Sequence, residues 1–173
     1  MSYPFSEIEP AWQRRWDEVV RLSLQHLMSH RRPQVWSIAG VMRAVGLRTG
    51  ILSNNSVEWS CQIGALYNLS TIFQPAIFSA IDSLKTGRHL LKPDPAIYRY
   101  ALDQAQVKPA EALLIDDQPE NCAAARKLGM HALEFVDARR LEDDLEALLR
   151  AQKYPLPKGK PKKAPDPGCC DCR

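Results

Sequence analysis

LLIDDQPEN, residues 113–121, is the stretch on which the reading of this chain turns. A short apolar run ends in Asp116 and Asp117, and Pro119 and Asn121 follow before an alanine-rich segment. The run has the length of a buried strand, and Pro119 sits where a helix starts. Two like charges at the end of a strand repel each other, and a divalent cation would offset that cost. Taken without its neighbours, the pair reads equally well as a helix cap and its solvated partner.

Outward from this stretch the chain alternates. Downstream, the pattern predicts that the helix from Pro119 stops at Gly129, that residues 132–136 form a strand, and that 139–151 form a charged amphipathic helix. Upstream, Asp94 and Pro95 open a helix over 95–106, with aspartate as cap and proline in the first turn. Residues 76–80 and 47–52 are short strand candidates, and a helix lies around 57–68 between them. The second of these strands runs into Ser53-Asn54-Asn55-Ser56. Val35, Ile38, Ala39, Met42 and Val45 mark the buried stripe of a helix over 34–45, stopped by Gly46. Trp12, Trp16, Val19, Val20 and Leu27 recur at helical spacing over 10–30. Helices and strands in strict alternation predict a Rossmann-like α/β fold, a parallel sheet covered on both faces. In such sheets ligands sit at the carboxyl ends of the strands.

The bulk numbers narrow the function. A chain of 173 residues supports one core of ordinary domain size. The net charge is +3, and five lysines without an acid lie between Lys153 and Lys163. The remainder is close to neutral, which argues against a nucleic-acid partner. No apolar run approaches the ~20 residues of a membrane span. The first sixteen residues lack the charged-then-apolar order of a signal peptide, so the expected location is cytoplasmic. Cys169, Cys170 and Cys172 crowd the end of the chain, and the odd count of five cysteines is not a disulfide framework. The segment 153–173 reads as a disordered Lys/Pro/Cys-rich tail. Palmitoylation of its cysteines beside the lysines is the less favoured alternative.

Three polar clusters lie at or near strand ends: Ser53-Asn54-Asn55, Lys92-Pro93-Asp94-Pro95 and Asp116-Asp117. A hydroxyl with exposed amides can hold phosphate oxygens, a lysine can neutralise charge on a phosphoryl group, and paired acids suit magnesium. Each is unremarkable alone; their order on alternating elements favours a phosphoryl-transfer layout.

"GILSNNS", "KPDPAIYRYAL" and "LLIDDQPENCAAARKLGMHAL" resemble the second, third and fourth motifs of the haloacid dehalogenase (HAD) superfamily. The similarity spans about residues 33–137 and points to the branch containing the phosphatase domain of soluble epoxide hydrolases and related acyl-CoA dehydrogenase fusions. The resemblance implies a magnesium-dependent phosphatase of small phosphorylated metabolites. It implies that Ser53 and Asn54 bind the substrate phosphate and that Lys92 is the catalytic lysine. Asp116 and Asp117 would hold Mg2+, and Asn121 would brace their loop. "KTGRHLLKP" places more residues between its glycine and Lys92 than this branch does.

One motif is missing. The family's chemistry starts at an Asp-x-Asp closing a buried strand, the first aspartate attacking phosphorus and the second serving as general acid and base. Residues 1–32 hold one aspartate, Asp17, in a helical pattern. They read as the remnant of a helical cap, with the HAD-like core over 33–152. The family places the absent strand centrally, between those ending at Ser53 and Asp116, so the two must pair directly, accept another segment, or leave the chain marginal. Asp82 and Asp94 are poor substitutes, and Asp94 fits a helix cap better. The expectation is a HAD-like hydrolase, by resemblance a magnesium-dependent phosphatase, with little or no turnover in this chain. The alternative is a non-catalytic truncated isoform or pseudo-phosphatase that acts by binding or regulation, with a homo-oligomer or a full-length relative as partner.

Overall fold

The computed structural model describes residues 33–152, apart from the side chains at 33–35, 65, 66 and 71. The chain divides into two units after Pro33, and the second carries the elements that follow. The helix expected over 10–30, the cap remnant 1–32 and the tail 153–173 lie outside the described residues.

Helix α1 (Pro33–Ala44) leads to strand β1 (Ile51–Ser53), helix α2 (Val57–Tyr67), a single turn α3 (Leu69–Ile72) and strand β2 (Ala76–Phe78). Helices α4 (Ser79–Thr86) and α5 (Pro95–Ala105) precede a 3-10 turn at Pro109–Glu111. Strand β3 (Leu113–Asp116), helix α6 (Pro119–Lys127), strand β4 (His131–Glu134) and helix α7 (Ala138–Ala151) complete the described order.

Local chemistry accounts for the boundaries. Asp94 caps α5 by accepting from the Ala96 amide at 2.7 Å, and Asp137 caps α7 by accepting from the Arg140 amide at 2.9 Å. After α6, Gly129 takes φ +86°, and the Met130 amide returns to the Ala125 carbonyl at 3.1 Å, a glycine-terminated helix end. The strand expected over 47–52 is shorter and displaced. Its approach passes Pro75, which has no N–H to donate, and only from Ile51 does regular pairing run. The strand expected over 76–80 stops at Phe78, because the Asp82 carboxylate captures the Phe78 amide at 2.8 Å as α4 begins. Helix α4 is an element that the periodicity did not predict, and Phe78 stands at its start without a side-chain cap. The other expected elements fall within a residue or two of expectation, and the short turns at Leu69–Ile72 and Pro109–Glu111 are additions to them.

Both strand pairs are parallel, as the alternation requires, but they form two separate two-stranded sheets, β1–β2 and β3–β4. Ser53 lies opposite Phe78, and Asp116 opposite Glu134. Backbone groups of alternate residues point to opposite edges of a strand. The Ala112 and Asp116 carbonyls accept from His131 and Phe135 at 2.9 Å each, so Leu113 and Ile115 direct their backbone groups away from β4. Ile51 donates to Pro75 at 2.8 Å, so Leu52 directs its own away from β2. Among the described residues no backbone ladder joins these two edges.

Side chains nevertheless unite the sheets. Ile77 and Leu114 share one buried cluster with Leu90, Ile97, Tyr98 and Ala125, and Leu52 packs against it. On the other face of β3, Leu113 packs with Leu133 against a cluster of Ile38, Leu141 and Leu145. Leu141, Leu145 and Leu149 recur every four residues, giving α7 one apolar stripe, all of it buried. Helices thus cover both faces of β3–β4, the layering expected of a Rossmann-like sheet. Burial of a large apolar side chain contributes about 1.5–3 kcal/mol, and these clusters hold together what the missing ladder does not.

Candidate functional site

Lys92 stands between the strand ends. Its Nζ donates to the Leu52 carbonyl at 2.9 Å and to Asp116 Oδ2 at 2.5 Å. The side chains of Lys92 and Asp116 are 9% and 5% exposed, so the ion pair is largely withdrawn from solvent. The carboxyl ends of β1 and β3 therefore converge on one ammonium.

Asn54 fixes the lysine from behind. Its Oδ1 accepts from the Lys92 amide and its Nδ2 donates to the Lys92 carbonyl, both at 2.9 Å. Ser53, at the end of β1, accepts from Asn55 Nδ2 at 3.1 Å and keeps its own hydroxyl hydrogen uncommitted. The first and second sequence clusters are thus one structural unit, joined across 38 positions of the chain.

Asp116 is fully engaged. Besides the Lys92 bond, its Oδ1 accepts from the Gln118 amide at 3.0 Å and from Asn121 Nδ2 at 2.9 Å. Burial by itself raises the carboxyl, but the bonds from Lys92, Asn121 and the Gln118 amide outweigh it and hold Asp116 below its ordinary range. Asn121 holds that carboxylate from the first turn of α6. Asp117 differs from its neighbour: it is exposed and makes no side-chain hydrogen bond or ion pair with described residues.

The two carboxylates are thus separated in role. The cation beside Asp116 is the Lys92 ammonium, and Asp117 is the open one. Among the described residues no three His, Cys, Asp or Glu side chains gather to hold a metal. Magnesium needs no such cage, since one or two carboxylates with waters and a phosphate suffice. The donors fit an ion held in that way, with Asp117 as its free carboxylate, and do not fit an all-protein site.

Sequence reasoning overlooked the layer beneath. Tyr98, wholly buried, donates from its hydroxyl to the Asn121 carbonyl at 3.1 Å. Burial first, then the Asp116 charge, pushes its phenol well above the usual range. The buried Cys122 thiol contacts the Asp116 carbonyl at 3.6 Å and the Leu133 carbonyl at 3.4 Å. Burial, then Asp116, raises that thiol as well. Both residues lie inside the quoted motifs, and their helical spacing toward the core was the signal available. Asp82, weighed as a substitute nucleophile, is committed elsewhere: it binds the Phe78 amide, Lys85 and the Tyr100 hydroxyl. Asp94 is a helix cap, as expected.

A parallel α/β framework with a buried lysine–aspartate pair at converging strand ends and an open carboxylate beside it defines a Rossmann-like protein with a polar centre in the usual ligand position. The comparisons make the class specific. The profile of the haloacid dehalogenase-like hydrolases matches residues 13–129. The chain belongs to that family.

Among individual relatives, bifunctional epoxide hydrolase 2 of Sus scrofa is 30% identical over 116 residues, 67% of this chain and 20% of that protein. Acyl-CoA dehydrogenase family member 10 of Mus musculus is 29% identical over 124 residues, 72% of this chain and 11% of that protein. (S)-2-haloacid dehalogenase 1 of a Pseudomonas species is 27% identical over 124 residues, covering 51% of its length. The chain thus spans only a fraction of each. A crystal structure of an uncharacterized protein from Corynebacterium glutamicum superposes with a TM-score of 0.55 at 21% identity, over 69% of this chain and 82% of that one. At that identity the likeness bears on the fold alone.

Proposed function

We propose that this chain binds small phosphorylated molecules at the converging ends of β1 and β3, as a magnesium-dependent phosphatase-type site with little or no turnover of its own. The phosphoryl group meets the Ser53 hydroxyl and the Asn54 region, and the Lys92 ammonium balances its charge. Asn121 and the Gln118 amide keep Asp116 in place so that Lys92 stays aimed at the strand ends. Asp117, with Asp116 behind it, would hold magnesium, which supplies further neutralisation of phosphoryl charge when bound.

The observation that carries this reading is the position of Lys92 Nζ, buried yet bonded to both strand ends. Low turnover is the corollary of chemistry already assigned. Phosphoryl transfer in this family needs an aspartate free to attack. Asp116 has both oxygens occupied, Asp117 is the carboxylate assigned to magnesium, Asp82 is tied to the Phe78 amide at the start of α4, and Asp94 caps α5. The same commitments favour a second reading, a pseudo-phosphatase acting by binding or regulation. A cytoplasmic location belongs to the proposal; among the described residues no helix is long and apolar enough to cross a membrane.

Two measurements test the proposal. Calorimetry with inorganic phosphate and magnesium is expected to detect binding that Lys92→Met removes. A phosphatase assay is expected to give at most background rates, unchanged by Asp116→Ala. Magnesium-dependent turnover abolished by that substitution would instead establish an enzyme.

A further inference from the structure

A groove of about 480 Å³ opens beside Asn54, at the carboxyl ends of β1 and β2, and runs between the start of α2 and the first turns of α4. Its size is that of a small-molecule site. It meets the lysine–aspartate centre through Asn54, whose amide binds the Lys92 backbone on both sides.

Most of its polar wall is already committed. The Asn55 amide donates to the Ser79 hydroxyl at 3.1 Å, and that hydroxyl returns to the Asn55 carbonyl at 3.4 Å. The Ser83 hydroxyl accepts from the Leu90 amide at 2.9 Å and donates to its carbonyl at 3.3 Å. Ser56 caps α2 through the Trp59 amide. These bonds make the wall rigid and leave it little to offer a ligand. Two side chains are the exception. His89 lines the groove exposed, with no hydrogen bond or ion pair to described residues. Leu91 presents an apolar surface that is 41% exposed. Leu90, buried between them and held at both backbone atoms by Ser83, anchors the segment that carries the pair.

We propose that this groove receives the organic part of the phosphorylated ligand and that His89 is its specificity-determining residue, an inference that rests on the phosphate site proposed above. The ligand class is a small phosphomonoester whose alcohol part carries a hydrogen-bonding group for His89 and a compact apolar face for Leu91. The anchored segment holds both recognition groups in place before the ligand arrives, which lowers the cost of binding.

The test is a chemical-shift titration of the labelled full chain, with magnesium, by inorganic phosphate, glycerol phosphate and 4-hydroxyphenyl phosphate. All three are expected to move the Asn54 and Lys92 amides, and only the two esters the His89 ring and Leu91 methyl signals. His89→Ala, at an exposed position, is expected to weaken ester binding about tenfold, the scale of one hydrogen bond, and to leave inorganic phosphate unaffected. Ala80→Phe, which fills the groove from α4, is expected to do the same. Phosphate binding that persists while neither variant changes ester affinity overturns the groove assignment and leaves the phosphate site standing. Failure of inorganic phosphate to move Asn54 or Lys92 overturns both.

Discussion

Lys92 Nζ and Asp116 Oδ2 lie 2.5 Å apart across 24 residues of sequence, in a position almost closed to water. The pair ties the β1–β2 half to the β3–β4 half, which no backbone ladder joins among the described residues. It also answers why the chain tolerates adjacent acids. Asp116 is balanced from within by the lysine, and Asp117 is left to solvent.

Removing the lysine alone strands a buried carboxylate. Lys92→Met is expected to destabilise the fold by about 3–5 kcal/mol, the cost of breaking a buried pair. Lys92→Met with Asp116→Leu is expected to recover part of that loss, since neither charge remains. Urea midpoints give both values. A single variant as stable as wild type would show that the pair is idle.

Acid should undo the same contact. The folded Asp116 carboxyl titrates below its ordinary value, so its contribution to stability is fully present above the usual aspartate range near ~3.9. That contribution is lost as pH falls through the lowered folded value. Asp116→Asn is expected to be less stable at neutral pH and to show a shallower loss between pH ~5 and acid extremes. Denaturation midpoints across pH check the slope, and an unchanged slope contradicts it.

Asn121 is expected to matter through Asp116 rather than through its own burial. Asn121→Ala removes one donor from a buried carboxylate, a loss of about 1–3 kcal/mol, and should raise the Asp116 titration midpoint. Carboxyl-carbon NMR titration reads that shift directly. The Tyr98 hydroxyl bonds the backbone carbonyl of Asn121, so its contact should survive.

The divided sheet has its own signature. Leu114 and Asp116 direct their amides to β4, whereas the Ile115 amide points to the unladdered edge. Amide exchange is expected to be at least about tenfold faster at Ile115 than at Leu114. Equal protection would mean that the edge is covered.

Glycine positions offer a paired control. A Cβ at Gly50 would lie 2.8 Å from the Pro75 carbonyl, so Gly50→Ala must displace backbone where β1 begins. The expected loss is about 1–3 kcal/mol. Gly40, within α1, has open space around it, and Gly40→Ala is expected to gain about 0.5–1 kcal/mol. Thermal melts of the two variants should move in opposite directions.

Alternating periodicity, Asp94 before Pro95 and the glycine after α6 made the element order legible, because helix starts and stops depend on a few neighbouring residues. Helix α4 escaped notice because its start depends on a carboxylate reaching back to Phe78 rather than on a standard cap. The break near Pro75 escaped because it is a property of two chain segments meeting. At the site, the residue types and their order were readable. The division of labour between Asp116 and Asp117 was not, since two adjacent aspartates are locally equivalent until a distant lysine selects one.

Sequence by itself determined the parallel α/β class, the family and the polar residues gathered at the strand ends, because periodicity, capping and motif spacing are local. Tertiary structure decided that the strands form two pairs, that Lys92 spans them, that Asn54 fixes that lysine's backbone, and that Tyr98 and Cys122 pack under Asp116. Each depends on through-space contact between segments far apart in the chain, where burial, charge balance and hydrogen-bond satisfaction are settled together.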